Sequence, residues 1–341
     1  MVNSIANGFI NGHTLRLLGE TTFPISHCLR SRLIIQSVIK GVEKTGLKRC
    51  WRVLFGTMTV LTSHRYPTGQ AQVCHKNPAY ASDLTDEQWD LLRDHLPLNP
   101  TGPGRPIEID LRAALNGIFY LLKTGCQWNQ LPHDFPNRQN IYYHYRKWCR
   151  DGTWEQINLA LVIQDRQAEG RNELPSAGAM DSQSVKTTEV GGPRGYDPGK
   201  KIKGRKRHIL VDTVGHLLKV IVHTANIQDR DGAKLLLEAV PEAIIRSLIK
   251  LWADGGYRGA LIEWCRITLN IDLEIILPPG KPKTFVLGPR RWVVERTFAW
   301  LGHDRRLSKD YEECCECSEG LIYLASIHRL LKRLMPKPQP A

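Results

Sequence analysis

Ile249-Lys250-Leu251-Trp252-Ala253 is a short apolar run that breaks off at Asp254-Gly255-Gly256, and this junction constrains the chain more than any other stretch. The run reads as a buried strand, and the paired glycines force a sharp exit from it. Asp254 therefore stands at a strand's C-terminal edge. An aspartate before glycine is a common turn-capping residue. In an open α/β sheet that edge is also where ligands and metals bind, which makes the carboxylate a candidate site residue.

Two other acidic residues occupy matching contexts. Ala177-Gly178-Ala179-Met180-Asp181 places Asp181 on or at the end of a small-residue strand. In Arg290-Arg291-Trp292-Val293-Val294-Glu295-Arg296-Thr297-Phe298-Ala299-Trp300-Leu301, Val294, Phe298 and Leu301 fall at i, i+4 and i+7, one face of a helix with Glu295 beside it. A helix packing that stripe on the sheet can aim Glu295 at the edge where Asp181 and Asp254 end. Three convergent carboxylates need a cation to offset their repulsion, and all-oxygen ligands suit Mg²⁺ or Mn²⁺.

These stretches carry a family likeness. Asp181-Ser182-Gln183-Ser184-Val185-Lys186, the Asp254-Gly-Gly-Tyr-Arg-Gly stretch, and the Glu295 helix followed by Arg305-Arg306-Leu307-Ser308-Lys309-Asp310-Tyr311-Glu312 resemble the DDE transposases of bacterial insertion sequences, the insertion-sequence-five group. The likeness runs from about Ala81 to Met335. It implies an α/β RNase H-like catalytic domain, a mixed sheet flanked by helices, preceded by a small all-α helix-turn-helix-like domain. It further implies that Asp181, Asp254 and Glu295 are catalytic residues and ligands of two Mg²⁺ ions, with Mn²⁺ as substitute. Its implied partners are double-stranded DNA, as terminal inverted repeats and as target, and further copies of itself. A bacterial cytoplasmic, nucleoid-associated location goes with that activity.

The net charge of the 341 residues is +13, which fits a polyanionic partner. The charge is uneven: residues 1–80 hold ten Lys and Arg against two Glu, leaving +5 for the remainder. Local clusters therefore say more than the total. No apolar run approaches the roughly 18 residues of a membrane span. Nine cysteines, an odd number, suit no disulfide framework and fit a reducing compartment. Cys314-Cys315-Glu316-Cys317 lacks a second ligand pair for zinc and reads as free thiols.

In chain order, residues 1–77 read as a leader, an upstream extension with a small DNA-contacting arm as the alternative. A helical DNA-binding domain is expected over 78–155, a linker over 156–176 that holds a helix and a polar stretch, the catalytic domain over 177–335 and a tail over 336–341. Thr85 and Gln88 match a capping box, with Trp89, Leu92 and Leu96 continuing a helical stripe. A second helix is expected over about Asp110–Lys123, ended by Gly125, and a third over about Asn140–Asp151. On the third, Arg138, Arg146, Lys147 and Arg150 can reach phosphates while Tyr142, Tyr143 or His144 approach bases, unless its aromatic residues pack a core instead.

After Asp181, the glycine-rich run from Lys186 to Arg207 reads as a basic loop gripping phosphates, with Lys186, Lys200, Lys201, Lys203, Arg205 and Lys206 as candidate DNA contacts. Arg258, Arg291, Arg305 and Arg306 complete that set. A hairpin is expected around Thr213-Val214-Gly215, a helix from Asp229 or Asp231 through Ala243, and a terminal helix over Ser318–Leu334. The succession of strand, hairpin, helix, strand, helix, strand and acidic helix is that of an RNase H-like core. Some positions depart from the group: His303 and Asp304 replace a basic and a neutral residue, and Gly288 replaces a tyrosine. These readings define an active transposase. The alternatives are a catalytically inactive remnant acting as a DNA-binding regulator, and an RNase H-like nuclease without joining activity.

Overall fold

The computed structural model describes residues 80–97, 109–277 and 290–336, which all fall within one compact unit, His75–Ala341. The leader 1–77, the loop from Leu98 to Pro106, the Pro278–Lys283 loop and Gly288 lie outside the described residues.

Helix α1, Asp86–Arg93, begins at the expected box: Thr85 accepts from the Gln88 backbone, and the Gln88 side chain accepts from the Thr85 backbone. In α2, Leu111–Thr124, Asp110 caps the start and Gly125 closes the end at φ 72°, a left-handed angle that glycine adopts without a Cβ clash. Its Leu115, Ile118, Phe119 and Leu122 are fully buried. In α3, Arg138–Arg150, Ile141, Tyr145 and Trp148 point into the same core.

The segment 156–176, expected to hold a helix and a polar linker, is helical as far as Ala168. Helix α4, Thr153–Ala168, buries Ile157, Asn158, Leu161 and Val162. Asn158 donates to the Leu217 carbonyl at 2.7 Å, which ties α4 to the sheet.

The sheet comprises β1 (Ala177–Lys186), β2 (Gly195–Asp197), β3 (Ile202–Asp212), β4 (Leu217–Thr224), β5 (Lys250–Ala253) and β6 (Asp272–Ile275). Its order is β2-β3-β1-β5-β6, with β4 also pairing β3. The β1–β3 and β3–β4 pairs are antiparallel, and β1–β5 and β5–β6 are parallel. A mixed sheet of this kind with helices against it is the RNase H-like arrangement. The hairpin at Thr213–Gly215 is present, but β3 starts six residues earlier than His208, where the sequence pattern had placed it. The basic run is therefore largely a strand, held by pairs such as Val185 with Arg205 and Ser184 with Lys206. A Cβ on Gly204 would lie 1.9 Å from the Val185 carbonyl oxygen, so the close approach of the two strands there requires glycine.

Helix α5, Asp229–Glu238, stops short of Ala243 because α6, Glu242–Ser247, restarts after Pro241. A short α7, Ala260–Trp264, precedes β6, and α8, Trp292–Leu301, carries Glu295. Helix α9, Cys315–Leu334, packs against α1, α2, α3, α4 and β4. Its Leu321, Leu324, Ile327 and Leu331 are buried, and His328 stacks on Phe119 with ring centres 4.7 Å apart. One continuous apolar cluster thus runs from α1 through α9 to the sheet.

Candidate active site

Asp181 is the fifth of the ten residues of β1, inside the strand rather than at its end. Parallel pairing sets Ala179 against Trp252. Asp181 and Asp254 each follow that last pair by two residues, and the charge of Asp254 acts on Asp181. Asp254 leaves β5 as the N-cap of a 3₁₀ turn, Gly255–Tyr257, and its Oδ1 accepts from the Gly256 N–H at 2.8 Å. It is a turn-capping residue and a neighbour of Asp181 at once.

Glu295 reaches this edge through α8, which packs against β1 and β3. Arg291, at the N-cap of α8, joins the set: its Nη1 donates to Asp181 Oδ2 at 3.1 Å, and its Nη2 donates to Glu295 Oε1. One guanidinium thus pairs with two of the three carboxylates. Burial pushes the Asp181 carboxyl up to about 6, and the charge of Asp254 adds to the rise. The Ser182 N–H, donating to Asp181 Oδ1 at 2.7 Å, pulls the other way, as do Arg291 and Lys200.

A fourth carboxylate belongs to this neighbourhood. Asp229, at the start of α5, accepts from Ser182 Oγ and from Lys206 Nζ, both at 2.9 Å. A Cβ on Gly256 would sit 3.0 Å from Asp254 Oδ1 and 3.6 Å from Asp229 Oδ2, so a backbone bare of side chain separates the two acids. Donors from Lys206 and Ser182 hold the Asp229 carboxyl below the usual range against the opposing effect of burial. The sequence showed Asp229 only as a helix-start residue. Its signal lay in the pairing of β1 with β3, which sets Ser182 and Lys206 on one side.

The oxygen-only donor set fits a hard divalent ion. Among the described residues, however, no three acidic, imidazole or thiol side chains come close enough to cage one. The residues present are two neighbouring aspartates, with Glu295 tied to Asp181 by a cation.

The basic candidates divide. Lys186, Lys201, Lys203, Arg258 and Arg305 are exposed, and Lys200 extends its Nζ to the Ser182 carbonyl at 3.0 Å, beside Asp181. Arg205, expected as a DNA contact, is fully buried. It pairs with Asp310 at 3.1 Å and donates to the carbonyls of Pro193, Glu312 and Glu313. Lys206 is buried on Asp229 and the Ile227 carbonyl, and Arg306 on Glu312 and the Cys126 carbonyl. All three are removed from solvent because the strand and the following segment fold over them. Asp304, a departure from the group, is likewise buried, 2.6 Å from Lys123.

On α3, Tyr143 is 63% exposed, and Gln139, Tyr142, Arg146, Lys147 and Arg150 share a shallow concavity with it. Arg138 is exposed at the helix start. His144 is buried beside Trp148, with ring centres 5.3 Å apart.

Comparison with known proteins agrees with this geometry. Residues 84–158 match the family described as putative transposase of IS4/5 family, and residues 172–313 match the transposase DDE domain. The second match spans β1 through α8 and so contains Asp181, Asp254 and Glu295. The fold and these matches define a transposase catalytic domain. The chain is 31% identical over 121 residues to the insertion element IS402 uncharacterized 16.2 kDa protein of Burkholderia cepacia, covering 34% of this chain and 80% of that protein. It is 33% identical over 130 residues to the putative transposase for insertion sequence element IS402 of the same organism, covering 36% of this chain and 60% of that one. No solved structure matches. The chain belongs to the DDE transposases of insertion sequences.

Proposed function

We propose that this transposase binds the terminal inverted repeats of its element and catalyses metal-dependent cleavage and strand transfer, with Asp181, Asp254 and Glu295 as the metal-holding set. The observation that carries this reading is Arg291, whose guanidinium pairs with Asp181 of β1 and Glu295 of α8 together, while the charge of Asp254 acts on Asp181. DDE transposases generally use divalent ions. Bound among these oxygens, two Mg²⁺ ions supply activation of the attacking oxygen and stabilisation of the leaving one.

The chain's own groups account for the rest. Water opens the strand at an element end, and the released 3′-hydroxyl then attacks target DNA. Arg291 stands where a phosphate oxygen can exchange for a carboxylate on its fork-shaped guanidinium. Lys200 adds charge beside Asp181, while Lys186, Lys201, Lys203, Arg258 and Arg305 offer phosphate contacts around it. The exposed face of α3, with Arg138, Arg146, Lys147 and Arg150 for phosphates and Tyr143 toward bases, is assigned to the inverted repeat. Pairing two element ends requires self-association. Asp304, one of the departures from the group, is paired inside the protein, and the family match extends across all three carboxylates.

The test is Mn²⁺ binding by paramagnetic resonance, comparing the parent with Asp181→Asn and Glu295→Gln. Each carboxamide is expected to weaken binding by tenfold or more. Unchanged Mn²⁺ affinity in both would remove the metal assignment.

A further inference from the structure

Asp181 and Ser182 are neighbours on β1, so their side chains leave opposite faces of the sheet. Arg291 of α8 pairs with Asp181, whereas Asp229 of α5 accepts from Ser182 Oγ, which sets the two helices on opposite faces of one edge. A strand of DNA that crosses this edge from the α8 side runs out over the start of α5.

On that side a cleft of about 480 Å³ opens between the start of α5 and the turn that follows Asp254. Its wall is bare backbone at Gly255 and Gly256. Arg230 and Arg258 flank it. A Cβ on Gly259 would lie 3.4 Å from Arg230 Nη1, and one on Gly255 would lie 3.9 Å from Arg258 Nε, so both guanidinium groups rest against the same glycine-rich turn.

The acids of the lining are occupied from within the protein. Asp197 accepts from Ser184 Oγ at 2.6 Å and from the Gly199 and Lys200 N–H groups, and Lys206 Nζ stands 3.6 Å from Asp197 and 2.9 Å from Asp229. The two arginines are not so engaged. Both are exposed, Arg230 donates to the Gln228 amide oxygen at 3.2 Å, and among the described residues neither has a carboxylate partner. A phosphate suits the fork of a guanidinium, and two such forks along one bare wall suit successive phosphates of a chain.

Building on the DNA-cleaving role proposed above, we propose that this cleft holds the strand that flanks the cut, with Arg230 and Arg258 on its phosphates. The strand then leaves the carboxylates past Asp254 and along the start of α5. Arg230 is thereby added to the DNA contacts, and Arg258 is placed on a particular stretch of the substrate.

The experiment is equilibrium binding of the full chain, by fluorescence anisotropy in Ca²⁺, to a labelled duplex carrying the element's terminal repeat and its flank. Each phosphate around the element end is replaced in turn by an uncharged methylphosphonate. The parent is expected to bind about tenfold more weakly when the phosphate on Arg230 or on Arg258 is neutral, the loss of one charge-assisted contact. Arg230→Ala and Arg258→Ala should show that loss on the fully charged duplex and no further loss at the matching position, and Arg258→Lys should recover part of it. Both side chains are exposed, so thermal melts of the variants should match the parent. Parental affinity in both alanine variants, or parental sensitivity at every phosphate in them, would overturn the proposal. Cutting of the charged duplex in Mg²⁺ is scored beside binding. A parent that shows the phosphate pattern without cutting defeats the catalytic reading and leaves the cleft, whereas one that cuts while both variants bind as it does defeats the cleft alone.

Discussion

At the scale of single residues, charge and burial set each role. Glu319 on α9 illustrates this away from the site. Its Oε1 accepts from the Val222 N–H at 2.7 Å, yet burial pushes its carboxyl up to about 7, with Lys219 opposing the rise and Glu316 and Glu155 adding to it. Because the folded form holds this proton to a higher pH than the unfolded chain does, its contribution to stability falls as pH rises from about 4.5 to about 7. Glu319→Gln keeps an oxygen for Val222 and removes the ionisation. The variant is expected to be more stable than the parent at pH 8, by about 1–3 kcal/mol, and to match it near pH 4. Melts across that range test this, and a destabilised variant at pH 8 would count against it. Asp254 and Glu295 were legible as candidates because each sits at a visible boundary, Asp254 at a strand's glycine exit and Glu295 beside a helical stripe, whereas Asp181 lies inside β1. Asp229 was not legible, since its neighbours Ser182 and Lys206 meet it only through strand pairing.

At the scale of elements, the basic segment after Asp181 shows what composition conceals. Glycines and alternating cations resemble a solvated loop, but β1 continues as far as Lys186 and holds β3 against it, so Arg205 and Lys206 turn inward while Lys203 stays outside. Arg205→Met leaves Asp310 buried without its partner, and a loss of about 3–5 kcal/mol is expected. Lys203→Ala should instead leave the melt within about 0.5 kcal/mol of the parent and weaken DNA binding at low salt. Equal melts for both variants would contradict the assignment of these side chains. On α3, replacing Arg146 and Lys147 with alanine should weaken duplex binding for every sequence and reduce the salt slope by about two phosphate contacts. An unchanged slope in a filter-binding series would show that this face does not meet DNA.

At the scale of the whole molecule, α9 is the part that local patterns predicted well and whose consequence they missed. Its buried stripe was readable, but its packing against α1 through α4 as well as β4 joins the helical region to the sheet in one core. Periodicity reports which face of a helix is buried and says nothing of its neighbour. A fragment of residues 78–155 lacks α9 and most of α4, so it is expected to melt without a cooperative transition, whereas the chain from His75 onward should unfold cooperatively. A sharp transition in the short fragment would restore two independently folding domains. The account turns finally on the three carboxylates. The most direct measurement is cleavage and joining of a labelled duplex carrying the element's own terminal repeat, with Mg²⁺, with Mn²⁺ and with chelator. The parent should cut and join with either ion and be silent in chelator, while Asp181→Asn, Asp254→Asn and Glu295→Gln bind the duplex but neither cut nor join it. Joining at the parental rate by any one of these variants, or activity that survives chelation, would contradict the account.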